Sequence, residues 1–110
     1  MLIRYENAVV RRAEGIEIRN LITKDTPAHF SLALVELNGY HPKVMNVVSD
    51  RAYYVLEGQA EVGVGESEYV VEPGDVVFIP SSTVHWLRGH MKYIVVNAPP
   101  FDPKNDRMVD

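Results

Sequence analysis

Three features of the 110-residue sequence predict an all-β fold. Seventeen valines and six tyrosines favour pleated, half-buried strands over helices. Short apolar runs alternate with Gly- and Pro-containing breaks at roughly the eight to twelve residues typical of sandwiches and barrels. No segment sustains the 3.6-residue apolar period of an amphipathic helix.

In chain order the expected strands are Ile16 to Ile22, Phe30 to Leu37, Lys43 to Val48, Tyr53 to Leu56, Gln59 to Val64, Tyr69 to Val71, Val76 to Ile79, Thr83 to Leu87 and Tyr93 to Val96. The breaks between them have a local cause. Asn38-Gly39, Glu57-Gly58, Gly65-Glu66-Ser67 and Pro73-Gly74 supply residues that tolerate positive φ or have φ already fixed, so each reads as a turn. After Asn97 the residues Pro99, Pro100 and Pro103 bar a sheet ladder, which predicts an extended tail. Phe101 in that tail either tucks into a groove of its own barrel or of a partner, or frays with the terminus.

The length suits one domain, 1–110, divided into N-terminal strands (1–38), a core (39–97) and a Pro-rich tail (98–110). The longest apolar run, Ala52 to Leu56, is five residues, far short of a membrane span. Met1 to Glu6 carries charge and leads into no apolar stretch, so a cytoplasmic protein without a secretory signal is expected. There is no cysteine, which excludes disulfides and thiolate chemistry. The net charge is -4 and Arg11-Arg12 is the only adjacent basic pair, so no basic stripe for nucleic acid is expected. Gly63-Val64-Gly65 lacks a third glycine and a following helix, and reads as a hairpin rather than a nucleotide loop.

From Gly39 to Gly89 the sequence resembles the cupin family. That family's second motif is matched from Gly74 through Pro80 to His85, with Ser82 and Gly89 standing where Gly and Asn are usual. The first motif is matched in spacing by Gly39, Met45, Val47, Arg51 and Gly58. The resemblance implies a double-stranded β-helix, a jelly-roll barrel, with turns at Gly58, Gly65 and Gly74, and a homodimer. It also implies a divalent metal in the barrel mouth, but the family's two imidazoles and carboxylate are replaced here by a thioether, an isopropyl and a guanidinium. A divalent ion wants imidazole or anionic oxygen donors, and a permanent guanidinium charge repels it. No cofactor is therefore expected. If a metal is present, His85 is its first ligand. His41 shares the face of Met45 by even spacing, but four strand residues span about 13 Å, so His41 and His85 meet only if the chain folds back at Pro42.

Strand alternation places Thr83, His85 and Leu87 on one face and Trp86 on the other, where it packs or meets a partner. On the face that the resemblance turns inward, His85 is either an acid, base or ligand contact near neutral pH, or a remnant satisfied by a neighbouring hydroxyl. Arg51 is either exposed at a strand start or inward, and an inward guanidinium must be paired, with Glu36, Glu57 or a ligand's anionic group as partner. Tyr53 shares the face of Arg51, and Tyr54 faces the other way. Lys43 either extends a positive lining toward the mouth or is a solvated edge lysine. Met45 either fills the core or, with His85, offers a soft Cu(I) site.

These residues support a metal-independent barrel that binds a small polar or anionic molecule through Arg51, His85, Tyr53, Met45 and Lys43. A second reading, carried by the resemblance, is a metal-free sugar epimerase or isomerase with His85 and Tyr53 as catalytic proton carriers. A third keeps a metal with rearranged ligands including His85. A fourth is a scaffold whose barrel is filled by Met45, Val47, Tyr53, Val55 and Leu87.

Overall fold

The computed structural model describes residues 1–109. It holds eight strands: β1 (Val9–Ala13), β2 (Ile16–Ile22), β3 (Ser31–Asn46), β4 (Asp50–Val64), β5 (Ser67–Val71), β6 (Val76–Ile79), β7 (His85–Ala98) and β8 (Asp106–Met108). Two single 3-10 turns, Tyr5–Asn7 and Pro103–Asn105, are the other regular elements. No helix among the described residues is long and apolar enough to cross a membrane.

All pairs are antiparallel, in the order β1-β2-β3-β7-β4-β5, with β6 on β4 and β8 on β3. The three long strands serve both halves of the barrel. One half is β1-β2-β3-β7-β4-β6, and the other is β8-β3-β7-β4-β5. This is the jelly roll expected from the sequence.

The long strands correct two expected turns. Asn38-Gly39 lies inside β3 and Glu57-Gly58 inside β4, because these glycines let a strand pass from one half of the barrel to the other without ending. Gly58 has φ +85°, and a Cβ there would overlap the His90 carbonyl. Gly89 has φ +139° and faces Gly39 on one side and Ala60 on the other, so the two expected strands flanking it are one, β7. The 38/39 boundary drawn from the sequence therefore falls within a continuous strand. The turns at Gly65 and Gly74 are as expected. Strand β1 was not expected, since Arg11-Arg12 interrupts its apolar pattern. It pairs with β2 across Gly15.

Strand registers stack inward residues in rows. Ser31, Asn97, Arg51 and Ile79 form one row, and Ala33, Val95, Tyr53 and Val77 the next. Val35, Tyr93 and Val55 continue the stack toward Leu37, Val62 and Leu87, which are fully buried. On the outer face of the same sheet, Phe78 neighbours Ala52, and Val76 neighbours Tyr54. Phe78, Val76 and Tyr54 are exposed.

The tail is ordered against the barrel. The Ser49 hydroxyl donates to the Pro99 carbonyl at 2.7 Å, and the Phe101 amide donates to Ser31 Oγ at 2.8 Å. Once past Pro103, residues Asp106–Met108 pair with Val44–Asn46 of β3. The prolines exclude a ladder only where they stand, and Phe101 tucks into its own barrel.

A candidate ligand pocket built around Arg51

The inner face of the β1-β2-β3-β7-β4 sheet and the returning tail enclose a chamber of about 100 Å³, lined in part by Arg51, Tyr53, Tyr93, Asn97, His41, Phe101 and Asp106. The barrel is not filled by side chains as the scaffold reading requires.

Arg51 is inward and 8% exposed. Its row places it between Asn97 and Ile79, and its guanidinium is held on three sides. Nε donates to Asn97 Oδ1 at 2.6 Å, Nη1 to His85 Nε2 at 3.0 Å, and Nη2 lies 3.5 Å from Asp106 Oδ1. The Asp106 carboxylate also accepts from Asn46 Nδ2 at 2.8 Å. The anionic partner expected at Glu36 or Glu57 is thus Asp106, delivered by the tail. Nothing local in the sequence marks it, because the pairing closes a loop of more than fifty residues.

His85 is inward and buried, as expected, but it touches Arg51 rather than the chamber. Arginine has only donors, so His85 Nε2 is the acceptor and the proton sits on Nδ1, which donates to the Thr83 carbonyl at 3.1 Å. Burial first, and then the Arg51 charge, lower its pKa to about 4. A neutral imidazole whose lone pair is already used positions Arg51; it is not a base free to take a substrate proton.

Tyr53 lines the chamber beside Arg51, sharing its face as expected. Its ring meets Tyr93 edge to face at 4.8 Å and His85 at 6.4 Å. Burial raises the pKa of Tyr53 and raises that of Tyr93 further, so both phenols are proton donors at neutral pH. Tyr93 carries a signal in its even spacing from His85 and Leu87, which puts it on their face of β7.

Met45 and Lys43 do not line the chamber, which corrects two expected ligand contacts. The ladder between β3 and β7 slips between His41 and Val44. A bulge of this kind exchanges the two faces of a strand, so Val44 and Asn46 turn inward while Met45 lies half-buried and Lys43 is exposed. His41 stands before the slip and keeps the inward alternation of Val35 and Leu37. It lies across from Leu87, two residues from His85, and lines the chamber. Its Nδ1 lies 3.0 Å from the Pro42 carbonyl and donates to it, which leaves Nε2 as the basic atom. Burial lowers its pKa, opposed by the Pro42 bond and aided by Arg51.

The positions at which the resemblance puts metal ligands hold Met45, Val47, Arg51 and His85. Among the described residues no group of three or more His, Asp or Glu side chains is arranged to hold an ion. Arg51 occupies the His85 lone pair and brings a fixed positive charge, so these residues do not fit a divalent cation.

A β-barrel with a polar pocket in its mouth is the architecture of the cupins, and the cupin domain model matches residues 40–97. The chain belongs to the cupin family. Ser82 adopts φ +61° at the place of that family's motif glycine. Solved structures share the fold over nearly the whole chain. Streptomyces Pac13, a nucleoside dehydratase, matches with a TM-score of 0.90 at 21% identity, covering 99% of this chain and 90% of that one. Variants of it with a tyrosine or a histidine replaced have been solved with uridine. Ectoine synthase from P. lautus matches at 0.83 and 19% identity, covering 100% and 90%. KdgF from Halomonas sp. matches at 0.80 and 19%, covering 94% and 97%. No curated protein matches the chain.

Proposed function

We propose that the protein binds a small polar or anionic molecule in the chamber, without a metal ion, through the Arg51 guanidinium. The observation that carries this reading is a buried arginine braced by Asn97, His85 and Asp106 while bordering an open cavity. Three protein partners leave part of its five-donor fork for a ligand. Tyr53, Tyr93 and His41 supply further contacts. Ligand-observed NMR with a panel of small carboxylates and sugars tests it: binding is expected for wild type and lost in Arg51→Lys, which keeps charge but not the fork. Equal binding by the variant overturns it.

An enzyme reading is favoured by one observation. Among the two inward histidines, His41 keeps a basic nitrogen and lines the chamber with Tyr53, so the proton carriers of this reading are His41 and Tyr53, with His85 positioning Arg51. That the Streptomyces neighbour is a nucleoside dehydratase supports proton-transfer chemistry in such a barrel. Solvent deuterium incorporated into a keto sugar, lost in His41→Gln and retained in His85→Gln, is the expected result. Loss only in His85→Gln overturns the assignment.

The proposal includes a homodimer joined through the exposed apolar face of Tyr54, Val76 and Phe78. Sedimentation at micromolar concentration reads it, and a monomer there removes it.

A further inference from the structure

Beyond the inner chamber lies a second cavity of about 630 Å³, between the β1-β2 hairpin and the far half of β3 with β8. The two share Arg11, Ile16, Ile18, His41 and Asp106 as walls, so the barrel mouth is a two-chamber site with a neck at these side chains.

The chambers differ in chemistry. The inner one sets a cluster of donors among apolar side chains such as Ala33, Val35 and Val95, with His41 Nε2 at the neck. Asn97 spends its Oδ1 on Arg51, which leaves its amide N–H groups without a side-chain partner at a residue only 4% exposed. Tyr93, 2% exposed, has a hydroxyl that makes no side-chain hydrogen bond. With the remaining Arg51 N–H groups, these point to a guest group made of acceptors. Among the described residues Asp106 is the only carboxylate in the wall of the inner chamber, and Arg51 and Asn46 already engage it. The outer chamber is walled mainly by apolar surface from Ala13, Ile16, Ile18, Tyr40, Val44 and Met108. Its size is that of a pocket for a ring-sized ligand, whereas the inner chamber holds only a few non-hydrogen atoms.

We propose that the ligand is bipartite: a carboxylate head in the inner chamber, received by Arg51, Asn97 and Tyr93, joined to an apolar ring-sized body in the outer chamber. This rests on the binding reading above and adds the body, its place and its chemical class. A body in the outer chamber removes apolar surface from water, whereas a head alone exchanges hydrogen bonds with water for hydrogen bonds with protein.

The test compares acetate, a head alone, with 3-phenylpropanoate, a head with a body, by saturation-transfer NMR and calorimetry. The expected result is binding of 3-phenylpropanoate at least tenfold tighter than acetate. Ala13→Trp and Met108→Trp, both exposed positions that line only the outer chamber, are expected to remove that advantage and leave acetate binding unchanged. Equal affinity for the two acids, or an advantage that survives both variants, overturns the bipartite ligand while leaving the binding reading intact. Absence of binding by either acid overturns the carboxylate head and with it the anionic form of the binding reading.

Discussion

Nη1 of Arg51 donates to Nε2 of His85 across 3.0 Å, and the bond exchanges the roles that these residues have when read singly. His85 becomes the brace and Arg51 the group presented to a ligand. The consequences are open to measurement.

Stability depends on pH through His85. Its pKa is lowered from 6.5 to about 4, so between these values the unfolded chain holds a proton that the folded chain refuses. The contribution is complete above pH 6.5 and is lost as the pH falls toward 4, by on the order of 3 kcal/mol. Urea unfolding of wild type is expected to weaken across this window more steeply than that of His85→Gln. Parallel curves for the two proteins would assign the effect elsewhere.

Arg51→Met leaves Asp106 and Asn97 Oδ1 without their cation. It is expected to cost about 2 kcal/mol, below the range for fully buried pairs because Asp106 keeps contact with water. The His85 pKa should rise, since the Arg51 charge is the second largest of the causes holding it down, after burial. An NMR titration of the imidazole reads that rise, and an unmoved pKa would mean that burial alone sets it.

Truncation after Ala98 removes Phe101, Asp106 and the β8 pairing with β3. The Val47 amide, which donates to the Asn105 carbonyl at 3.0 Å, should lose its protection from hydrogen exchange, while the Val55 amide, bonded to the Asp75 carbonyl, keeps its own. Loss of protection throughout the barrel would instead make the tail part of the folding unit.

Two glycines with positive φ should respond differently to alanine. At Gly74, φ +94°, a Cβ meets nothing within 4 Å, so Gly74→Ala is expected to cost only about 1 kcal/mol of backbone strain. At Gly58 the Cβ runs into the His90 carbonyl and lies 2.9 Å from Met91 Cα. Gly58→Ala should therefore cost about 3 kcal/mol or more. Thermal unfolding of the two variants ranks them, and equal midpoints would contradict the close approach of β4 to β7.

Local chemistry is legible where a short apolar run is bounded by turn or polar residues. Ile16–Ile22 and Val76–Ile79 were delimited to the residue, the hairpin at Gly65 was read from its turn residues, and the Gly74 to His85 spacing identified the family. The period of two puts Arg51 on the face of Tyr53 and His85 on the face of Leu87, while the inward direction comes from the resemblance and for Arg51 from the structure alone. That period carries no mark of a bulge, so alternation alone puts Met45 on the inward face and leaves Lys43 open, and the glycines at 39 and 58 read as ends of strands they only bend.

The sequence by itself thus determined the fold class and which side chains share a face along each unbroken strand, because both depend on near neighbours in the chain. Tertiary structure alone decided that Asp106, not Glu36 or Glu57, meets Arg51, and that His41 rather than His85 keeps a basic nitrogen at the chamber. Those outcomes turn on the register of β3 against β7 and on the path of the tail, which bring together groups distant in sequence.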